Sequence, residues 1–239
     1  MKNKKILVGL LAVVFTAVSC SDDSSDAANG MDNLTIQAKA TYSGNNGRMD
    51  GAVSISEFKI NLKEIEFELD EDYYDEDDDD YGDGYYGDDD EFELTGPFEI
   101  DLLSGQTTIT SINIPNGIYE EVEFKMHRNR NSSSELFNKS IQIKGTIGTT
   151  PFVFWHNVEE DFEIDYEDAG QNLIISDNTA TIVFEFDLDA VLATVDLSSA
   201  NDGNGDGLIE ISPNDPDGNQ SLANTIKDKI KEYTDLLDD

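Results

Sequence analysis

The stretch FEIDLLSGQTTITSINIPNGIYEEVEFKM, residues 98–126, decides the fold because apolar and charged side chains alternate at both of its ends. Alternation with a period of two residues is typical of a strand with one face on a core and the other in water. Between the alternating runs lies Pro115-Asn116-Gly117, where proline presets a turn and Asn-Gly tolerates positive φ. The stretch therefore predicts strand, turn and strand in an antiparallel sheet that is covered on one side.

The same alternation recurs on both sides of this stretch. Leu34–Tyr42 alternates cleanly and predicts a half-buried strand. Val53–Leu69 also satisfies helical spacing, but its alternation shifts phase at Lys63-Glu64, which a β-bulge would accommodate, so we interpret it as a strand. With the later runs, the chain contains about nine predicted strands, a number typical of a sandwich. The predicted fold class is all-β: an antiparallel β-sandwich.

The composition limits what this protein binds. The chain has 239 residues, 52 acidic and 15 basic, and a formal charge of -37. Such a surface repels phosphate backbones and anionic lipid headgroups and attracts divalent cations and basic partners, so nucleic acid is disfavoured as a partner. Plain solubility is the alternative explanation of the charge. The length suits one sandwich-sized domain with additions.

The amino terminus has the features of an export signal. Lys2, Lys4 and Lys5 precede an apolar run from Ile6 to Ala17 that is too short for an ordinary transmembrane span. Cys20 follows directly and is the only cysteine, so it has no disulfide partner in the chain. We therefore predict a lipoprotein signal peptide at residues 1–19 and lipidation of Cys20, although Ala17 stands where lipoboxes usually carry leucine.

Two low-complexity segments flank or interrupt the predicted body. Residues 20–33 are small and polar and predict a flexible tether. Residues 70–91 contain almost only aspartate, glutamate, tyrosine and glycine, so they cannot form a core and predict an acidic disordered insert between two strands. The predicted sandwich domain spans residues 34–200. Cation binding, docking of a basic partner and a tolerated insertion remain open for the insert.

Several motifs resemble known families. Ser21-Asp22-Asp23 after Cys20 resembles the acidic surface-export signal of Bacteroidota-type lipoproteins. The succession IDLLSG, INIPNGIYEEVEFKM and IVFEFDLDAV resembles an uncharacterised family of bacterial lipoprotein domains of unknown function, over about Ile55 to Asp196. The resemblance to the domain family implies a prealbumin-like β-sandwich with no known reaction, and the resemblance of residues 21–23 to the export signal implies display on the outer membrane, facing the cell exterior. The acidic insert is extra to the family pattern.

The strongest local signal for a ligand is the loop DGNGDGLIE, residues 202–210. Its acidic and amide residues at alternate positions and the glycine at position six match the first half of an EF-hand-type calcium loop, but proline stands at position twelve. An ordinary Asx-Gly turn is the alternative. If calcium is the cofactor, the predicted ligands are Asp202, Asn204, Asp206, the Leu208 carbonyl, and Glu210 or Asp215.

The segment 201–239 is expected to end in an amphipathic helix, because Leu222, Ile226, Ile230 and Tyr233 recur at helical spacing. Trp155 follows two phenylalanines that alternate with it, so it is expected to face away from the core, either as a platform for a sugar or under a neighbouring loop. His127 and His156 have no histidine or cysteine at ligand spacing and are interpreted as surface or half-buried residues.

The expected function is that of a cell-envelope lipoprotein acting as a non-enzymatic surface binding or adhesive module, with calcium as its candidate stabilising ion. The membrane is contacted through the lipid anchor, and an envelope protein or glycan is the expected partner. A glycan-active hydrolase and an accessory subunit of a surface nutrient-uptake complex remain alternatives. No nucleophile motif or phosphate loop occurs in the sequence, and carboxylates are too frequent to indicate a catalytic pair.

Overall fold

The computed structural model describes residues 32–44, 53–70, 91–166 and 173–238. These residues are mostly strand, consistent with the predicted all-β, sandwich-like class. The twelve strands within the described ranges are β1 (Leu34–Thr41), β2 (Val53–Leu69), β3 (Glu91–Asp101), β4 (Thr107–Ile112), β5 (Gly117–Met126), β6 (Ile141–Ile147), β7 (Thr150–His156), β8 (Glu160–Asp165), β9 (Leu173–Ile175), β10 (Ala180–Asp187), β11 (Ile209–Ile211) and β12 (Thr234–Asp238). The helices are α1 (Leu188–Thr194) and α2 (Gln220–Glu232).

The strands form two sheets. The smaller sheet has the order β12, β10, β1, β4, and the larger has the order β11, β7, β6, β2, β5, β8, with β3 on β2 and β9 on β5. Most pairs are antiparallel, but β1 pairs with β10 and β11 pairs with β7 in parallel. The expectation of a purely antiparallel sandwich is wrong for these two pairs, because alternation shows which face of a strand is buried and not its direction.

Aromatic side chains join the two sheets. Phe124 on β5 stacks on Phe184 of β10 with ring centroids 4.5 Å apart, and Phe58 on β2 meets Phe186 of β10 edge to face at 5.4 Å. All four rings are almost fully buried. The apolar face of each sheet therefore packs on the other in one core.

The stretch that decides the fold does not form a single hairpin. Its first strand, β3, pairs with β2, while β4 pairs with β1 in the smaller sheet and β5 returns to β2 in the larger sheet. Pro115-Asn116-Gly117 is therefore a crossing between sheets, and neither Asn116 nor Gly117 has positive φ. Each run has the predicted type and buried face, but turn composition alone did not show which strands pair.

Strand β2 organises the larger sheet. It pairs with β3 along one edge, while the other edge pairs first with β6, up to Ile60, and then with β5, from Leu62. The register shifts between Leu62 and Glu64, at the predicted bulge. Asn61, 2% exposed, lies at the change of partner and donates from Nδ2 to the His127 carbonyl at 2.8 Å. The sheet thus divides at Asn61.

The segment after residue 200 adds a strand to each sheet. Strand β11 pairs with β7 in the larger sheet, α2 buries Ala223, Ile226 and Ile230, and β12 pairs with β10. The helix begins after Asn219 and is followed by a further strand. Among the described residues, no helix has the length and apolar character needed to cross a membrane. The predicted signal peptide, Cys20, most of the tether and residues 71–90 of the acidic insert lie outside the described residues.

Candidate functional site

The outer surface of the larger sheet carries rows of carboxylates across β3, β2, β5 and β8. Directly paired residues of antiparallel strands share a face, and the register places the acidic residues of these four strands opposite one another. The apolar residues that alternate with them, such as Phe67 and Val122, are buried in the core. We call this surface the acidic face; its carboxylates belong to Glu64, Glu66, Glu68, Glu91, Glu93, Glu121, Glu123, Asp161 and Glu163.

Lys125 lies among the carboxylates of the acidic face. Its Nζ is 3.1 Å from a Glu123 oxygen and 3.5 Å from a Glu64 oxygen, and it also pairs closely with Glu66. Burial disfavours the charged ammonium, but the hydrogen bonds to Glu66 and Glu123 outweigh this effect and raise the pKa of Lys125. The lysine therefore stays charged and holds the neighbouring carboxylates together.

Like charges oppose one another directly on the acidic face. Glu66 is paired with Glu93 on one side and with Glu123 on the other, and Glu123 is also paired with Glu163. One carboxylate oxygen from each of Glu64, Glu66 and Glu93 lies within 4.8 Å of the others. Directly opposed like charges destabilise a sheet, so the arrangement costs folding free energy. Residues kept against a local stability rule are expected at functional sites.

The sequence contained the signal for this face, but it could not be interpreted without the register. Glu121, Glu123 and Glu64 to Glu68 were visible as the polar half of alternating strands. A single alternating strand indicates only a solvated face. Their convergence depends on β2 pairing with both β3 and β5, which no local pattern specifies.

The predicted calcium loop is organised by its own carboxylates. Asp202 accepts hydrogen bonds from the backbone N–H groups of Gly205, Asp206 and Gly207 at 2.7 to 3.1 Å. Asn204 Oδ1 accepts from the Asp206 N–H at 2.8 Å, and Asp206 Oδ1 accepts from the Leu208 N–H at 2.9 Å. A carboxylate has about four acceptor positions, so these contacts leave capacity for a cation. The oxygen donors fit calcium in kind.

The residues expected to replace the missing twelfth ligand have other partners. Glu210 Oε1 accepts from Trp155 Nε1 and from the Ser212 hydroxyl, both at 3.1 Å. Asp215 Oδ1 accepts from three backbone N–H groups just before α2, including that of Asn219 at 3.0 Å. Asp217, which the sequence reasoning did not choose, reaches the loop instead and accepts from the Asn204 N–H at 3.2 Å. Among the described residues, the loop brings no three carboxylates within 4.8 Å of one another.

Trp155 lies on the outer face of β7, as its alternation with buried Phe152 and Phe154 predicts, and is half-buried. The hydrogen bond from its indole to Glu210 ties it to β11, whose Glu210 pairs with Val153. This bond gives the tryptophan a structural partner. Its use as a sugar platform stays a prediction.

Comparisons with known proteins give no match: no family model, no curated protein and no solved structure matches this chain.

Proposed function

We propose that this protein is a non-enzymatic binding module of the cell envelope that uses the acidic face to contact a basic protein partner. The observation that carries the proposal is the cross-strand arrangement of nine carboxylates, with Lys125 among them. A prealbumin-like arrangement of the sandwich, anchorage through lipidated Cys20 and display on the outer membrane belong to the same proposal. They rest on the sequence motifs.

The geometry of the acidic face suits a protein surface as partner. The carboxylates lie on four adjacent strands, and because neighbouring strands are about 4.8 Å apart, the carboxylates spread over a broad area. A bound cationic surface would reduce the repulsion between the opposed glutamates. This reduction would contribute favourably to the free energy of binding. In the sequence, the acidic residues 71–90 lie between β2 and β3, whose Glu68 and Glu91 are paired.

The proposal is tested with an oligolysine peptide as the cationic probe. Glu93→Gln with Glu163→Gln removes two exposed charges from the acidic face, and Asp228→Asn with Glu232→Gln removes two exposed charges from α2. We expect the first double variant to bind the peptide more weakly than the second, and added salt to reduce this difference. Equal loss of affinity in both variants would mean that only net charge attracts the peptide, which contradicts the proposal.

A second pair of proteins separates the acidic face from the acidic insert. The same double variants are made in a chain lacking residues 71–90. If the face forms the contact, the difference between them persists without the insert. If the difference disappears, the insert and not the sheet holds the partner.

The anchor is tested separately. Metabolic labelling with a palmitate analogue should mark the wild-type protein and leave Cys20→Ala unlabelled. Equal labelling of the two proteins would contradict lipidation of Cys20.

A further inference from the structure

A pocket with the opposite charge opens where the larger sheet divides. It has a volume of about 360 Å³ and lies between the β2 bulge, the bend of β3 at Gly96-Pro97 and residues 128–131. A volume of this size falls in the range of small-molecule sites, roughly 300 to 1,000 Å³. We call it the divide pocket.

Backbone irregularities make room for the divide pocket. At Gly96 a Cβ atom would lie 2.7 Å from the Leu62 carbonyl oxygen, so β3 can approach the β2 bulge this closely only with glycine. On the opposite side Asn129, 1% exposed, donates from Nδ2 to Asn61 Oδ1 at 2.9 Å and accepts from the Asn131 N–H at 2.7 Å. These buried amide contacts hold residues 129–131 in a defined conformation.

The lining of the divide pocket is cationic. Lys63, Arg128 and Arg130 contribute to it, whereas the whole chain has only 15 basic residues. Lys63 Nζ lies 3.2 Å from a Glu64 oxygen, so one of its three donors is engaged. Arg128 binds a single Glu159 oxygen through Nε at 3.0 Å and a terminal nitrogen at 2.9 Å. A guanidinium has five donors, so this contact leaves others available. Arg130 is exposed.

Asn131 adds a neutral donor. Its Oδ1 accepts a hydrogen bond from the Ser133 N–H at 3.0 Å, so the amide nitrogen is the group that it can offer to a ligand. Guanidinium groups match the geometry of carboxylate and phosphate oxygens. The lining thus combines three cations, of which Lys63 and Arg128 are already ion-paired, with an amide donor, and their remaining donors suit an anionic ligand.

We infer that the divide pocket binds the oxyanion of a small, sugar-sized ligand, with Arg130, Arg128 and Lys63 as the cationic contacts and Asn131 as a neutral donor. The ligand class is a small organic anion, whose charge is either a carboxylate or a phosphate ester, and acidic sugars serve as its probes. A chain with a formal charge of -37 repels anions elsewhere on its surface, so saturable binding of an anion indicates a local site. This inference does not depend on the acidic face.

The test measures binding of glucuronate, glucose 6-phosphate and glucose to the full chain by nuclear magnetic resonance titration. Asn131→Asp is the most informative variant. Its carboxylate can still accept the hydrogen bond from the Ser133 N–H, but it places a negative charge at the pocket. Arg130→Gln removes an exposed cation. Lys229→Gln, on α2, is the control that removes the same charge elsewhere.

We expect one or both charged sugars to bind the wild-type protein and the Lys229→Gln variant with the same affinity. Glucose should bind both proteins far more weakly. Arg130→Gln and Asn131→Asp should each weaken binding by about 10-fold or more, the effect of losing a hydrogen bond to a charged group. Whichever charged sugar binds identifies the oxyanion as carboxylate or phosphate. Binding of glucose as tight as that of the charged sugars, unchanged affinity in both pocket variants, or no saturable binding of either anion would overturn the inference.

Discussion

Asn33 is the residue that fixes the crossing between the two sheets. It is 3% exposed, its Nδ2 donates to the Ile114 carbonyl at 2.7 Å, and its Oδ1 accepts from the Ile114 N–H at 2.9 Å. Ile114 itself is 1% exposed, so water cannot replace these contacts without opening the core. One side chain thus satisfies both backbone groups of the residue that precedes Pro115.

We predict that Asn33→Ala lowers the free energy of unfolding by about 2 to 4 kcal/mol, because it leaves two buried backbone groups without partners. Urea unfolding followed by fluorescence measures this loss. Asn178→Ala is the matched control, since Asn178 is exposed and only its backbone N–H takes part in a hydrogen bond, to Ser176. Similar losses in both variants would show that Asn33 does not fix the crossing.

His156 gives the protein a pH-sensitive position. Burial lowers the pKa of His156 below its ordinary value of 6.5, and the hydrogen bond between Nε2 and Asn224 Oδ1, 3.4 Å, compensates only in part. Lys227, Asp228 and Glu160 also act on the ring. Above about pH 6.5 the imidazole is neutral in both the folded and the unfolded state. Below that pH the unfolded state takes up the proton more readily.

The free energy of unfolding should therefore fall as the pH decreases from about 6.5 towards the lower pKa of the folded state. Urea unfolding of wild type and of His156→Gln, at pH values on either side of this window, measures how much His156 contributes to the pH dependence of the free energy of unfolding. The variant should lose less stability than wild type across the window. An equal loss in wild type and His156→Gln would show that carboxylates alone cause the pH dependence.

At the level of elements, the sequence predicted strand type and buried face more successfully than pairing. The phase shift at Lys63-Glu64 coincides with a register shift in β2, and β1 lies where the alternation of Leu34–Tyr42 placed a strand. The partner of each strand depends on contacts between residues far apart in the chain. For that reason the crossing at Pro115, the parallel pairs and the acidic face could not be predicted from local patterns.

For the loop at residues 202–217, the sequence predicted the local arrangement but not the contact with a residue further along the chain. The spacing of Asp202, Asn204 and Asp206 is local, and the structure folds these residues into one loop. Asp217 enters the loop because the chain turns back before α2, and Gly203 lies where a Cβ atom would be 2.3 Å from the Asp217 carbonyl oxygen. The sequence showed no reason to prefer Asp217 over Asp215.

If the loop binds calcium, we expect chelation to lower the melting temperature. An ion at about 100 times its dissociation constant, here about 10⁻⁴ to 10⁻³ M, adds roughly 2.7 kcal/mol when it binds only the folded state. The test compares calcium-induced shifts in a chain lacking residues 71–90 with those in the same chain carrying Asp202→Ala and Asp206→Ala. Equal shifts would mean that the loop is an ordinary turn.

For the whole molecule, charge repulsion is the dominant electrostatic feature. The formal charge is -37, and the acidic face adds opposed glutamates at close range. We predict that the free energy of unfolding rises by on the order of 1 kcal/mol or more as the ionic strength increases from about 0.01 M to about 1 M, since the screening length falls from about 30 Å to about 3 Å.

Thermal unfolding over this range of ionic strength measures the effect. Glu93→Gln with Glu163→Gln should reduce it more than Asp228→Asn with Glu232→Gln does, because the first pair removes charges that face other carboxylates across strands. A protein whose stability is independent of salt would contradict the view that the acidic face costs folding free energy.

The parallel pairing of β1 with β10 also governs the order in which the protein folds. Strand β1 pairs with β10 residue by residue, from Leu34 with Ala180 to Thr41 with Asp187, so its partner is synthesised about 146 residues later. Contacts between such distant residues must await closure of a long loop, which slows folding. A chain that emerges from the ribosome with its amino terminus first cannot complete the smaller sheet until almost all of it has been made. The amino-terminal strand β1 therefore remains without its β10 partner through most of synthesis.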